Sequence, residues 1–276
     1  MKKLGLALGA GGARGIAHIA VLEALEELEI KPCVISGTSI GAIVGLFYAA
    51  GFSTSEMKEI LNEIIYGKRS KFWEIHRKSD FIKYFDLLDP TIKTGGLLRG
   101  DKLASFLSTK VKISNFKELQ IPFKVTTTDY YKKIQVIIDK GELLSAVRAS
   151  YALPFLFAPI EREGKLLIDG GMVNPLPFDV IRKDCDITVA VDVSATNDYH
   201  DRLEIPPSYE VLFSSFQIMQ SAIVNEKLKT SKPDILIKTN IKGVRVHEFM
   251  KADEILRNSE SYKIELKKKL KKLLSL

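Results

Sequence analysis

Cysteine is scarce in this chain: two in 276 residues, Cys33 and Cys185. They lie far apart and match neither a metal-ligand spacing nor a disulfide framework, so free thiols in a reducing compartment are expected. The four histidines (His18, His76, His200 and His247) form no metal pattern either. No Pro/Gly/Ser-rich linker divides the chain and no internal repeat or low-complexity tract is visible, which predicts one domain over residues 1–276 with insertions. No apolar run is long enough to cross a bilayer. Met1-Lys2-Lys3 before an apolar stretch has the form of a secretion signal, but the stretch is cut short after Leu8 by glycines and Arg14, so a buried first strand is expected instead. These absences predict a cytoplasmic protein, at most peripheral to a membrane.

What is present is ordinary globular composition: 46% hydrophobic, 27% charged, and a formal net charge of +7. The charge is too diffuse to select nucleic acid, anionic lipid or mere solubility as its purpose. Leu4–Leu8 reads as a strand. After a glycine cluster, Ile16, Ile19, Ala20, Leu22 and Leu25, with acids between, read as an amphipathic helix. Pro32 to Ser36 is a second strand, Ile40 to Ala50 a buried helix, and Ser53 or Thr54 caps the next helix with Glu56 in its first turn. Asp101 to Lys110 reads as a short helix. Pro122 to Thr128 and Lys133 to Ile138 read as strands around the turn Asp129-Tyr130-Tyr131-Lys132. Glu142 to Ser150 is helical, Lys165 to Ile168 a strand, Pro177 to Lys183 a proline-started helix, Ile187 to Val193 and Asp234 to Thr239 strands, and Ser261 to Leu276 a lysine-rich helix. Strands alternating with helices predict an α/β fold, a three-layer sandwich around a mostly parallel sheet.

Gly37-Thr38-Ser39-Ile40-Gly41 fits G-x-S-x-G between a predicted strand and a predicted helix, the context the pattern requires. A nucleophile at the tip of such a turn needs small neighbours two residues away on each side, and glycine at 37 and 41 meets that need. The turn exposes the Ser39 hydroxyl, and the helix N-terminus beside it favours developing negative charge. The plainer reading is a tight turn before a glycine-rich helix.

Acyl transfer by a serine also needs backbone N–H groups aimed at the oxyanion, each worth about 3 kcal/mol. Gly11 and Gly12, between the first strand and the first helix, carry amides that no Cβ screens. Arg14 either locks this loop or lies near the anion. A rival reading is a dinucleotide fingerprint starting at Gly9-x-Gly11; its third glycine falls on Arg14, and no acid follows at a strand end.

These residues resemble the patatin-like phospholipases, in particular bacterial single-domain members. That family's G-G-G-x-R/K-G loop is matched by Ala10-Gly11-Gly12-Ala13-Arg14-Gly15, with alanine in the first place. Its G-x-S-x-G is matched by Gly37 to Gly41, and its Asp-Gly-Gly segment by Asp169-Gly170-Gly171. Ala149-Ser150-Tyr151-Ala152-Leu153-Pro154 is similar to the family's intervening segment. The likeness covers residues 4 to 195. It implies a Ser39–Asp169 dyad, an oxyanion hole from Gly11 and Gly12, no metal or organic cofactor, and lipid or acyl-ester substrates. Without histidine, Asp169 must take the serine proton directly, which requires burial to raise its proton affinity and a hydrogen bond between the two. Taken alone, Asp169-Gly170 is an ordinary turn.

Two alternatives stand beside the dyad: a Ser–Asp–His triad, for which His200 or His247 has the right chain order, and a catalytically silent lipid-binding relative. His18 reads as a satisfied, partly buried histidine inside the first helix. The aromatic stretch Phe72 to Leu88, and Val211 to Ile223, are candidates either to line an acyl pocket or simply to pack on the core. In the last helix Tyr262, Leu266, Leu270, Leu273 and Leu274 share one face among six lysines. That is the form of a helix that docks on anionic headgroups, and equally of a terminal helix packed on the domain. Lysines without interleaved aromatics give no reason to expect nucleic acid.

Overall fold

The computed structural model describes residues 2–66, 101–194, 205–206 and 208–275. The aromatic stretch Phe72 to Leu88, His76 and His200 lie outside these residues.

The chain starts with β1 (Leu4–Leu8), a 3-10 turn (Gly12–Ile16) and helix α1 (Ala17–Glu27). Then come β2 (Val34–Thr38), α2 (Ile40–Ala49), α3 (Thr54–Tyr66) and α4 (Asp101–Lys110). A hairpin of β3 (Phe123–Asp129) and β4 (Ile134–Ile138) precedes α5 (Leu143–Ser150), β5 (Ile160–Arg162), β6 (Lys165–Asp169) and β7 (Ile187–Asp192). The chain closes with α6 (Ser208–Thr230), β8 (Ile235–Lys238) and α7 (Ala252–Leu274). The sheet runs β5-β6-β3-β2-β1-β7-β8, with β4 also on β3. Strands β3, β2, β1, β7 and β8 are mutually parallel; β4 and β6 run antiparallel to β3.

Central strands carry apolar residues on both faces because both are covered. In β1, Leu4, Leu6 and Leu8 point into the larger core with α1, α2 and α7, while Ala7 faces a smaller cluster with Phe178, Ile181 and Val224. That gives the expected three layers, helices on either side of a mostly parallel sheet. At the start of α3, Ser53 and Glu56 bond reciprocally: the Ser53 amide and hydroxyl donate to Glu56 Oε2, and the Glu56 amide donates to Ser53 Oγ.

Three elements differ from expectation. The second strand continues to Thr38 rather than ending at Ser36, since pairing with both β1 and β3 carries it to the bend. Pro177 to Lys183 forms only a 3-10 turn, Phe178–Ile181, whose Phe178 and Ile181 are pinned under the sheet. The last helix begins at Ala252, nine residues earlier than the lysine cluster suggests, with Ala252 and Ile255 buried in its first turns. It is also anchored: Leu266 and Leu270 are fully buried, and Lys263 and Lys267 pair with Glu27 of α1. Its apolar stripe therefore packs on the domain, leaving Leu273 and the outer lysines at the surface.

Candidate active site

The site arises from how β3 is shared. Strand β2 pairs with β3 as far as Thr38 opposite Thr126, and β6 pairs with it from Asp169 opposite Thr127. Because β4 occupies the other edge of β3 over Val125–Asp129, β2 and β6 lie on one and the same edge. They run in opposite senses, so their carboxyl ends meet head-on between two successive residues of β3. Ser39 and Asp169, 130 positions apart, are delivered to that meeting point.

Ser39 has φ 55 and ψ −120, a left-handed conformation that a residue with a Cβ adopts only under constraint. The constraint is visible. A Cβ on Gly41 would strike the carbonyl oxygen of Leu8, so the bend is pressed against β1. The Ser39 amide, which the bend removes from regular pairing, donates to Ser150 Oγ at 2.9 Å. Ser150 in turn donates to the Thr126 carbonyl at 2.7 Å, inside the junction between the two strands. Thr38 Oγ1 donates to the Asn174 carbonyl at 2.9 Å, tying the strand that leads into Ser39 to the loop after Asp169.

The Ser39 hydroxyl is half-buried and donates to Asp169 Oδ2 at 2.7 Å. Asp169 is 1% exposed. Its other oxygen accepts the Gly171 amide at 2.6 Å, and its carbonyl accepts the Thr128 hydroxyl at 2.8 Å. Burial pushes the carboxyl up to about 6, against the opposing bonds from Ser39 and Gly171. A Cβ at Gly170 would collide with the Thr126 carbonyl, so only glycine lets the chain turn away this close to β3.

The glycine loop packs against the bend at Ser39, its Gly9 carbonyl 2.8 Å from where a Cβ on Gly41 would sit. β1 and β2 are in register, Leu8 opposite Gly37, so the residues after Leu8 rise beside Ser39. The loop is held from behind: the Gly9 amide donates to Val191, Ala10 to Pro175 and Ala13 to Val246. Gly12 has φ 58, where a side chain would be strained, and a Cβ there would meet Val246. The Gly11 and Gly12 amides have no partner among the described residues. Arg14 is buried within the turn, and Gly15 lies tight against Ile40, the residue after Ser39. Thus Gly37, Gly41, Gly170 and Gly171 lie at the junction itself, while Ala10, Gly11, Gly12, Arg14 and Gly15 belong to the loop that Gly15 seats against Ile40.

Two contacts at the site carried no sequence signal of their own. Ser150 lies in the segment that resembles the family, but nothing there marks it as partner of the Ser39 amide. His18 is fully buried, and its Nε2 bonds the Gly9 carbonyl at 2.9 Å, which steadies the start of the glycine loop. Burial holds that imidazole down at about 4, so it is neutral at physiological pH. Among the described histidines, neither His18 nor His247 bonds Ser39 or Asp169; the His247 ring lies near Phe213, 6.5 Å between centroids. No group of three or more His, Cys, Asp or Glu side chains among the described residues is arranged to hold a metal ion.

Comparison with known proteins agrees with this architecture. The family model described as patatin-like phospholipase matches residues 6–182, and the chain belongs to that family. An uncharacterised NTE family protein of Mycobacterium bovis is 36% identical over 195 residues, covering 70% of this chain and 50% of the relative. Patatin-like phospholipase domain-containing protein 7 of Rattus norvegicus is 33% identical over 198 residues, covering 71% of this chain and 14% of the relative. A protein named lysophospholipase nte1, from Aspergillus fumigatus, is 29% identical over 292 residues, covering 98% of this chain and 18% of its own length. The chain thus spans half the length of the first relative and under a fifth of the other two. Among solved structures, VipD from Legionella pneumophila shares the fold with a TM-score of 0.53 at 15% identity, covering 97% of this chain and 66% of that one.

Proposed function

We propose that this protein hydrolyses fatty-acyl esters of phospholipids, lysophospholipids or simpler alcohols through a Ser39–Asp169 dyad. The observation that carries the reading is the 2.7 Å bond from the Ser39 hydroxyl to a buried carboxylate whose proton affinity burial has raised. An ordinary carboxylate is too weak a base to draw a proton from a hydroxyl; one poised near 6 is ionised at neutral pH yet closer in affinity to its task. Names carried by relatives support lipid substrates: lysophospholipase for the Aspergillus protein, patatin-like phospholipase for the rat one.

In the proposed cycle Asp169 takes the serine proton as Ser39 Oγ attacks the ester carbonyl. The Gly11 and Gly12 amides receive the oxyanion, and the amide bonds of Gly9, Ala10 and Ala13 on either side hold the loop in place beforehand. The alcohol leaves with the proton from Asp169, giving an acyl-serine. Water, deprotonated by Asp169, then releases the fatty acid and restores the hydroxyl.

The test is turnover of short acyl esters and of phospholipid vesicles by wild type, Ser39→Ala, Asp169→Asn and His200→Ala. Loss of about a thousandfold or more is expected in the first two variants and none in the third. A His200→Ala protein that is dead beside an active Asp169→Asn protein would replace the dyad with a triad.

A further inference from the structure

The β3–β4 hairpin leaves the junction in a direction that gives it a second role. Thr127 faces Asp169, and the tip begins three residues later at Tyr130, so it projects about 10 Å beyond the site at strand rise. Its side chains are the reverse of what a soluble surface favours. Tyr131 is 74% exposed, and Tyr130 and Ile134 are 52% exposed, with Lys132 and Lys133 exposed between them.

This tip is built rather than loose. Asp129, itself buried, accepts the amides of Tyr131 and Lys132 on Oδ1 at 3.1 and 3.0 Å, and its carbonyl accepts the Lys133 amide at 2.8 Å. The two tyrosine rings meet edge to face at 5.2 Å. Nearby, Ala152 accepts the Asp169 amide, and three residues further on Phe155 stands 68% exposed at φ 70. A bulky ring held in water by a left-handed backbone is costly twice over, and the cost needs a return.

We propose that Tyr130, Tyr131, Ile134 and Phe155 seat the rim carrying Ser39 and Asp169 on an anionic lipid surface, with Lys132 and Lys133 against the headgroups. This rests on the acyl-ester reading of the site. Tyrosines with an apolar body and a polar tip suit the headgroup boundary, and flanking lysines suit negative lipid. The acid at the base of the tip, Asp129, is turned inward onto backbone amides, and on the neighbouring β5–β6 turn Glu163 is paired with Arg162, so the two lysines set the charge of the tip itself. The terminal helix is already engaged elsewhere, because Leu266 and Leu270 of its apolar stripe are buried against the domain.

Binding is read by co-sedimentation of Ser39→Ala protein with vesicles of phosphatidylcholine, with and without phosphatidylglycerol, so hydrolysis plays no part. The parent protein is expected to favour the anionic vesicles. Lys132→Gln/Lys133→Gln is expected to weaken that partition about 30-fold while leaving neutral vesicles unaffected. Tyr131→Ser and Phe155→Ser are each expected to weaken partition on both by about tenfold. Each variant is checked by its melting curve; the lysine pair, exposed and bonded only through backbone, is the one least able to disturb the fold. Parent-like binding by the lysine and aromatic variants overturns the proposal, as does a parent that binds neither vesicle. A parent dimer that these substitutions dissolve assigns the patch to a second copy of the chain. Turnover of a water-soluble ester by wild type reads the dyad separately: cleavage without binding sinks the docking surface alone, and binding without cleavage sinks the hydrolase reading alone.

Discussion

Acids on α1 and the acid at the end of β6 belong to one fold yet titrate in opposite directions. Glu27 lies at the surface between Lys263 and Lys267 of α7, at 2.5 and 2.6 Å, and the lysine hydrogen bonds hold its carboxyl below the usual range. Among the described residues Asp169 has no cation against it; its partners are a hydroxyl and a backbone amide, and burial pushes it up to about 6. The signs for stability follow. The folded form keeps the Asp169 proton to higher pH than the unfolded chain does, so its favourable contribution is present in acid and is lost as pH rises through about 6. The Glu27 contribution is present at neutral pH and is lost in acid. One region uses charge to attach a helix; the other tolerates a poorly solvated charge, the property that the proposed base requires.

The contrast can be broken at several points. If α7 is attached by its apolar stripe and only trimmed by ion pairs, Leu266→Ala, at a fully buried position, should cost about 3 kcal/mol in denaturant melts. If Asp169 must be ionised to act, kcat/KM for a soluble ester should fall about hundredfold between pH 8 and pH 4, with a single limb near 6. A limb near 4 would mean that the carboxyl is better solvated than its burial indicates.

Ser150→Ala tests whether the strained Ser39 backbone needs its hydrogen bond at 2.9 Å. The expected result is about a tenfold loss of kcat at near-constant KM, with Ser150→Thr recovering part of it. A purely structural role would lower the melting temperature and leave kcat of the folded fraction unchanged. The smallest effect is expected from Lys267→Ala, below about 0.5 kcal/mol, because an exposed pair gains little over its hydrated state. A larger value would make charge, not packing, the fastener of α7.

Much of the site was legible because each motif reports a local steric demand. Gly37 and Gly41 announce a bend too tight for side chains, Gly11 and Gly12 announce bare amides, and Gly170 announces a close approach. Elements set by their own periodicity or caps were legible as well: β1, α2, α4 and the β3–β4 hairpin agree with expectation to within about a residue. The turn at Phe178–Ile181 and the first turns of α7 were not, because what ends or extends them is a neighbour under the sheet, which no local pattern encodes. The terminal helix shows the limit most plainly. Its amphipathic stripe fits a lipid surface and a protein surface equally, and only the position of α1 decides between them.

By itself the sequence determined which residues are available: a serine flanked by glycines, a glycine loop before the first helix, and an aspartate that two glycines allow to turn away. Those are properties of backbone sterics, read within a few residues. Only the tertiary structure decided that Ser39 and Asp169 touch, because the contact depends on β2 and β6 ending head-on along one edge of β3. It likewise decided that Asp169 is dry enough to hold its proton more tightly than an exposed acid, since desolvation comes from the whole packed layer around a group and not from its chain neighbours.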